Sequence, residues 1–434
     1  MKRLCIVLAV FLAGHGALHG MPESVSWEVD YVIRDAVDVT GNKYISYQGW
    51  LPSVLTFVND DGSVTVCTSS GESAETTWVY EYSIDLKEQK TMHFENELGQ
   101  LGAFTKDGEG NYYFFYGSRA ADKNAENMAM VKRGREGEKI KVYKLKANAP
   151  KSMDGIRVPF DAGTCRLELS GSLLAVYFAR EMFSGHQASY GFVLDKDTFE
   201  RIDRGAATHP RMGDNTQMPY VSHSFNQFIL PCEGGFLFAD HGDAYPRCFT
   251  FAKFQNGSNT KRLDAFKFPG QIGQNATYAE MGGLAKTQEG GMFAGTYGKA
   301  ANASRNVFVL FLDENLSSCT APVWLTAYSK EDGHAGHPKI AALDAGRYLL
   351  LWERYAFSTQ PANRVGQGPT GYVSTHMLVI NEKGEPLSDT GEMQGVRLNI
   401  NDTLRYNRRN GKVYWAVTGS NKSVTLYALD TGQR

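Results

Sequence analysis

Apolar and polar positions alternate along this chain in short runs that end, repeatedly, at a glycine-bearing turn. Seven segments share one order: an alternating strand, a tight turn, then a strongly apolar strand. They begin at Val54 (VLTFVNDDGSVTVCT), Leu101 (LGAFTKDGEGNYYFFYGS), Gly163 (GTCRLELSGSLLAVYFARE) and His223 (HSFNQFILPCEGGFLFADH). The series continues from Gly282 (GGLAKTQEGGMFAGTYG), His337 (HPKIAALDAGRYLLLWER) and Asn401 (NDTLRYNRRNGKVYWAVTG). A period of two marks strands, and glycine supplies the positive φ that hairpin turns demand. The turn glycines are Gly62, Gly110, Gly171, Gly235, Gly291, Gly346 and Gly411, six steps of about 58 residues in a periodic array.

Each unit then carries a second hairpin after a variable loop, as in WVYEYSIDLKEQKT from Trp78, YGFVLDKDTFERID from Tyr190, VFVLFLDENLSS from Val307 and HMLVINEKGEPLSD from His376. Two hairpins in series make a four-stranded antiparallel blade. One blade alone leaves both faces wet, whereas seven stacked radially bury them against each other. The pattern resembles the seven-bladed β-propeller, an all-β architecture, without the WD dipeptide, kelch or Asp-box signatures that would tie it to a specific family. The predicted blades lie near 50–95, 98–147, 160–205, 220–268, 280–327, 336–392 and 398–431. The last is one strand short, ending at SVTLYALD, and an unassigned alternating stretch at 26–35 is predicted to supply the missing outer strand and close the ring.

Residues 1–20 stand outside this repeat. Met1-Lys2-Arg3 is basic and Leu4 to Ala13 is apolar, followed by small residues. This order reads as a signal peptide, leaving residues 21–434 as one propeller domain, secreted or periplasmic, with no later membrane segment. Forty-five Lys and Arg against 47 Asp and Glu give no electrostatic reason to expect a nucleic acid partner. Cys67, Cys165, Cys232, Cys248 and Cys319 remain after Cys5 leaves; five irregularly spaced thiols imply no disulfide framework.

In such a blade the short turns lie on one face and the long connections on the other. The turns here are generic, while the connections are long and chemically varied, which is where a scaffold usually carries its site. Six of the eight histidines downstream of the leader fall in those connections. His223 and His337 each open an innermost strand, and Asp240, His241 and Asp243 end the second strand of the blade that His223 begins. With Arg180, Glu181, His186, Arg247, His334, Lys339, Glu353 and Arg354, these are the candidate ligand-binding residues. If a divalent metal is bound, His223, His241, His337 and Asp240 are its candidate ligands. The same groups also suit general acid–base chemistry or, more blandly, polar loops and interblade hydrogen bonds. Two functions follow: a binding module for a glycan or protein, or a hydrolase or lyase, metal-dependent or not. No nucleophile elbow, P-loop, dinucleotide fingerprint or HExxH motif is present, which favours the first.

Overall fold

The computed structural model describes residues 20–29, 51, 53–70, 75–148, 154–160, 163–202, 220–274, 277–300, 302–344, 346–357, 371–400, 402–420 and 422–432. Residues 1–19 of the predicted signal peptide lie outside them. Seven antiparallel sheets of four strands follow one another along the chain. The innermost strands are Val54–Val58, Gln100–Lys106, Cys165–Ser170, Ser224–Cys232, Ala279–Lys286, His334–Asp344 and Arg405–Asn407. Each contacts the innermost strand of the next blade, and the seventh returns to the first. The array is a ring, as the repeat predicts.

What holds the ring is visible in the period of two. In blade 2, Tyr112, Phe114 and Tyr116 pack with Leu55, Cys67 and Val79 of blade 1. Tyr113 and Phe115, pointing the other way, pack with Phe178 and Phe192 of blade 3. Seven apolar clusters fill the seven gaps between blades in this manner. The inner strands of each blade are covered on both faces in this way, and each blade depends on two neighbours for its stability.

The ring closes through Glu23–Glu28, which pairs antiparallel with Ser423–Asp430. This is the predicted outer strand of blade 7, begun three residues earlier than 26–35; residues 30–35 lie outside the described ones. Its Trp27 is wedged between blades, with ring centroids 5.3 Å from Tyr80 and 5.1 Å from Tyr82 of blade 1. Outer strands are otherwise irregular. Val323–Trp324 in blade 5 and Gly391–Met393 in blade 6 are short. In blade 3 the fourth strand is Val158–Pro159, which extends the inner edge, while the outer side shows one bridge, Leu194 to Arg201.

The turns behave as their glycines suggest. Gly62, Gly110, Gly171, Gly346 and Gly411 all have positive φ. In blades 4 and 5 the preceding glycines, Gly234 and Gly290, take that conformation instead. Cys67, Cys165, Cys232, Cys248 and Cys319 are free thiols, and burial pushes the Cys248 thiol up to about 12. Among the described residues no helix is long and apolar enough to cross a membrane.

Candidate functional site

The loop face is built from the starts of the innermost strands and the ends of the second ones. His223 and His337 occupy matching positions there, at the starts of the innermost strands of blades 4 and 6. Both have left-handed backbones, with φ of 52° and 50°. That conformation costs a bulky residue about 1–2 kcal/mol, so its recurrence needs compensating contacts. Each ring has them: His223 Nδ1 lies 3.0 Å from Asp243 Oδ1, and His337 Nδ1 lies 2.9 Å from Glu353 Oε2. A carboxylate acceptor fixes Nδ1–H as the donor and leaves Nε2 facing away.

The blade 6 cluster is the more elaborate. Glu353 is fully buried at the end of strand Arg347–Tyr355. It accepts from His337, from the Leu398 amide at 2.7 Å, from Arg397 Nε at 2.9 Å and from Arg397 Nη2 at 3.2 Å. The Tyr355 hydroxyl donates to it as well. Burial by itself would raise this carboxyl; His337 and Arg397 outweigh it and hold the group below its ordinary value. A second buried carboxylate, Glu280, joins blade 5 to blade 6: it accepts from the His337 amide at 2.8 Å and from Arg305 Nη1 at 2.7 Å.

Arg397 is the exposed member of this network. Its side chain is 47% exposed although its partner Glu353 is 0% exposed. The guanidinium lies over the Tyr372 ring, 4.4 Å from the centroid. With one edge clamped by Glu353 and one face on Tyr372, Nη1 makes no hydrogen bond to a described residue. A cation held by a buried anion in this way presents its free edge without further ordering cost.

The blade 4 cluster is smaller. The His223 ring stands 5.0 Å from that of His186, whose Nε2 lies 3.0 Å from Ser222 Oγ. Asp243 is buried, and its Oδ2 has no partner among the described residues. Arg247 braces the site through backbone carbonyls, donating to Asp243 O, Gln274 O and Pro269 O.

Other candidates point elsewhere. Asp240 turns toward blade 3, accepting from Tyr177 at 2.6 Å and Ser224 at 2.7 Å, and burial pushes its pKa up to about 7. His241, next along the strand, turns the opposite way. It bonds Thr277 of the following connection, packs on Phe249 and Phe268, and burial depresses its pKa to about 3. Lys339 turns to the connection between blades 6 and 7, donating to the Ile400 and Asp402 carbonyls at 2.7 Å each, and burial lowers its pKa to about 7. Arg180 is buried over Tyr190 with one bond to Gly155 O, its pKa brought down to about 10 by desolvation. Glu181 lies beside Arg157 and Arg119, at 3.7 and 4.0 Å. His334 accepts from the Arg305 amide and stacks on Phe357. Arg354 sits on the rim, 3.9 Å from Glu392.

The candidates thus form two clusters, His186/His223/Asp243/Arg247 and His334/His337/Glu353, with Asp240, His241 and Lys339 serving contacts to neighbouring blades and connections. Among the described residues no three His, Cys, Asp or Glu side chains are grouped as metal ligands. His223 and His337 each spend Nδ1 on their own carboxylate, and Asp240 spends both oxygens on hydroxyls. Glu280, Arg305, Tyr372 and Arg397 are the residues that sequence reasoning passed over. Arg397 lies in the connection between blades 6 and 7, where QGVRLNI carries no histidine and reads as the approach to a strand.

The sequence matches no family model and no curated protein. Solved structures resemble the fold. One is a protein of unknown function from Dyadobacter fermentans DSM 18053, at 8% identity and TM-score 0.45, covering 83% of this chain and 100% of that one. Another is a subtype N10 neuraminidase-like protein of A/little yellow-shouldered bat/Guatemala/060/2010, at 11% identity and TM-score 0.40, covering 77% and 95%. A third is an α-L-arabinanase mutant of Cellvibrio cellulosa, at 12% identity and TM-score 0.33, covering 67% and 93%. At these values the likenesses carry no inference about activity.

Proposed function

We propose that this protein is an exported binding module whose loop face captures a glycan, with the clamped guanidinium of Arg397 as the anchor. The observation that supports this reading is the contrast between Arg397 and the carboxylate behind it: a buried, saturated anion holding a half-exposed cation on an aromatic ring. A fixed guanidinium edge suits a carboxylate or vicinal hydroxyls, meeting two oxygens through paired N–H donors. A glycan carrying hexuronic acid offers both. The leader-like residues 1–20 agree with a partner outside the cytoplasm.

A glycan array probed with the purified protein tests this. Binding concentrated on uronate-containing glycans is the expected outcome. Equal retention of neutral and acidic glycans, or of none, would contradict it.

A hydrolase or lyase reading has one supporting observation, the His223–Asp243 pair beside the His186–Ser222 contact. An imidazole oriented by a buried carboxylate is poised to take a proton from water or from a substrate hydroxyl. Release of reducing ends from any array-positive glycan, abolished by His223→Ala, would favour this alternative.

A further inference from the structure

We infer that the opposite, turn-bearing face carries a second binding site, for a sugar bearing a phosphate or sulfate ester. A cleft of about 900 Å³ opens there where blades 6, 7 and 1 meet. Among the described residues Arg347, Arg408, Arg409 and Lys412 line it, against the single carboxylate of Asp85. The volume is that of a small-molecule site, and four cations around one concavity raise the local concentration of anions.

The sequence of this face makes the cleft unusual. The first turns of the other blades carry acids: Asp60 and Asp61, Asp107 and Glu109, Glu233, Glu289, Asp344. Blade 3 has the neutral Ser-Gly-Ser. Only the blade 7 turn, Asn407 to Lys412, holds two arginines and a lysine with no acid.

Turn geometry accounts for part of that sequence and leaves a remainder. Asn407 donates to Gly62 O and caps the Arg409 amide, and Gly411 takes φ of 68°. Arg409 Nε donates to the Asp60 carbonyl, latching blade 7 to blade 1. Lys412 Nζ lies 2.8 Å from Glu23 of the closing strand. These contacts fix two cationic walls. Arg408 serves none of them: it is exposed and has no hydrogen bond or ion pair with a described residue. No contact between described residues uses its guanidinium, and among the described lining residues Asp85 is the one carboxylate against four cations. A tetrahedral ester oxygen group accepts two parallel N–H donors from such a fork, while Tyr406 gives the cleft an aromatic wall for the sugar ring.

Calorimetric titration of the full chain with hexose phosphate, hexose sulfate and the unsubstituted hexose tests the inference, at low salt because exposed charges are screened. The expected result is saturable binding of an ester and none of the plain hexose. Arg408→Glu is expected to weaken that binding by about ten-fold or more, the loss of one charge-assisted pair, and to remove the ligand's upward shift of Tm. Arg408 is exposed and makes no hydrogen bond or ion pair with a described residue, so its variant is expected to keep the fold; an unshifted Tm without ligand verifies this. Preference for phosphate or for sulfate names the ester. Equal binding of ester and plain hexose, no ester binding, or ester binding untouched by Arg408→Glu overturns the inference. Arg397→Ala is expected to leave ester binding intact, so the two faces fail or stand independently.

Discussion

At the scale of single residues, burial decides which ionisable groups are structural and which face a partner. Glu353 is buried with every acceptor position occupied, so removing it strands Arg397, His337 and the Leu398 amide together. We predict that Glu353→Ala costs about 3–5 kcal/mol, read as a lowered urea midpoint, with Glu353→Gln losing less. Asp240 and His241 give a sharper test because their linkages oppose. Asp240 has a folded pKa of about 7, above the ordinary value of about 4, so its contribution is largest in acid and is lost as pH rises toward 7. His241 has a folded pKa of about 3, below the ordinary value of about 6.5, so its contribution is complete above pH 6.5 and is lost as pH falls. In the wild type the two slopes offset each other between about pH 4 and 6.5. Asp240→Asn therefore leaves stability rising more steeply with pH across that window, and His241→Gln leaves it falling. Wild-type profiles of Tm against pH in both variants would refute these assignments.

Sequence reasoning found these residues and misjudged their directions for a simple reason. Neighbouring positions on a strand face opposite blades, so Asp240 and His241 part company although they are adjacent. Which blade lies on which side depends on ring order, which a local pattern does not contain. Arg397 escaped notice because its importance comes from Glu353, 44 residues earlier, and no spacing rule connects them.

Elements tell the converse story. Strand, glycine turn and apolar strand recur so regularly that all seven inner hairpins were legible from Val54 to Ser420. Their glycines report geometry rather than chemistry, and the one-residue displacement to Gly234 and Gly290 changes nothing. The outer strands were less legible because half their surface is wet and their apolar signal is weak; Val323–Trp324 and Gly391–Met393 barely pair. The closing strand is the exception, since Val25 and Trp27 alternate cleanly and are buried against blade 1. We predict that Trp27→Ala destabilises the protein by about 3–5 kcal/mol, measured by denaturant unfolding, because it opens the one gap sealed by chain ends. A loss under about 1 kcal/mol would mean the ring holds without this closure.

On the scale of the whole molecule, circular order does what no single blade can. It brings the ends of 14 inner strands to two rims and separates long connections from short turns. The loop rim gathers buried carboxylates that aim histidines and an arginine; the turn rim is mostly acidic, with one basic cleft where the ring closes. The most direct test of the account is calorimetry with a uronate-containing oligosaccharide on wild type, Arg397→Ala and Arg397→Lys. The account predicts binding by the wild type, loss of about ten-fold or more in Arg397→Ala, and incomplete recovery in Arg397→Lys, whose ammonium lacks the paired donors. Equal affinity in all three proteins would contradict it.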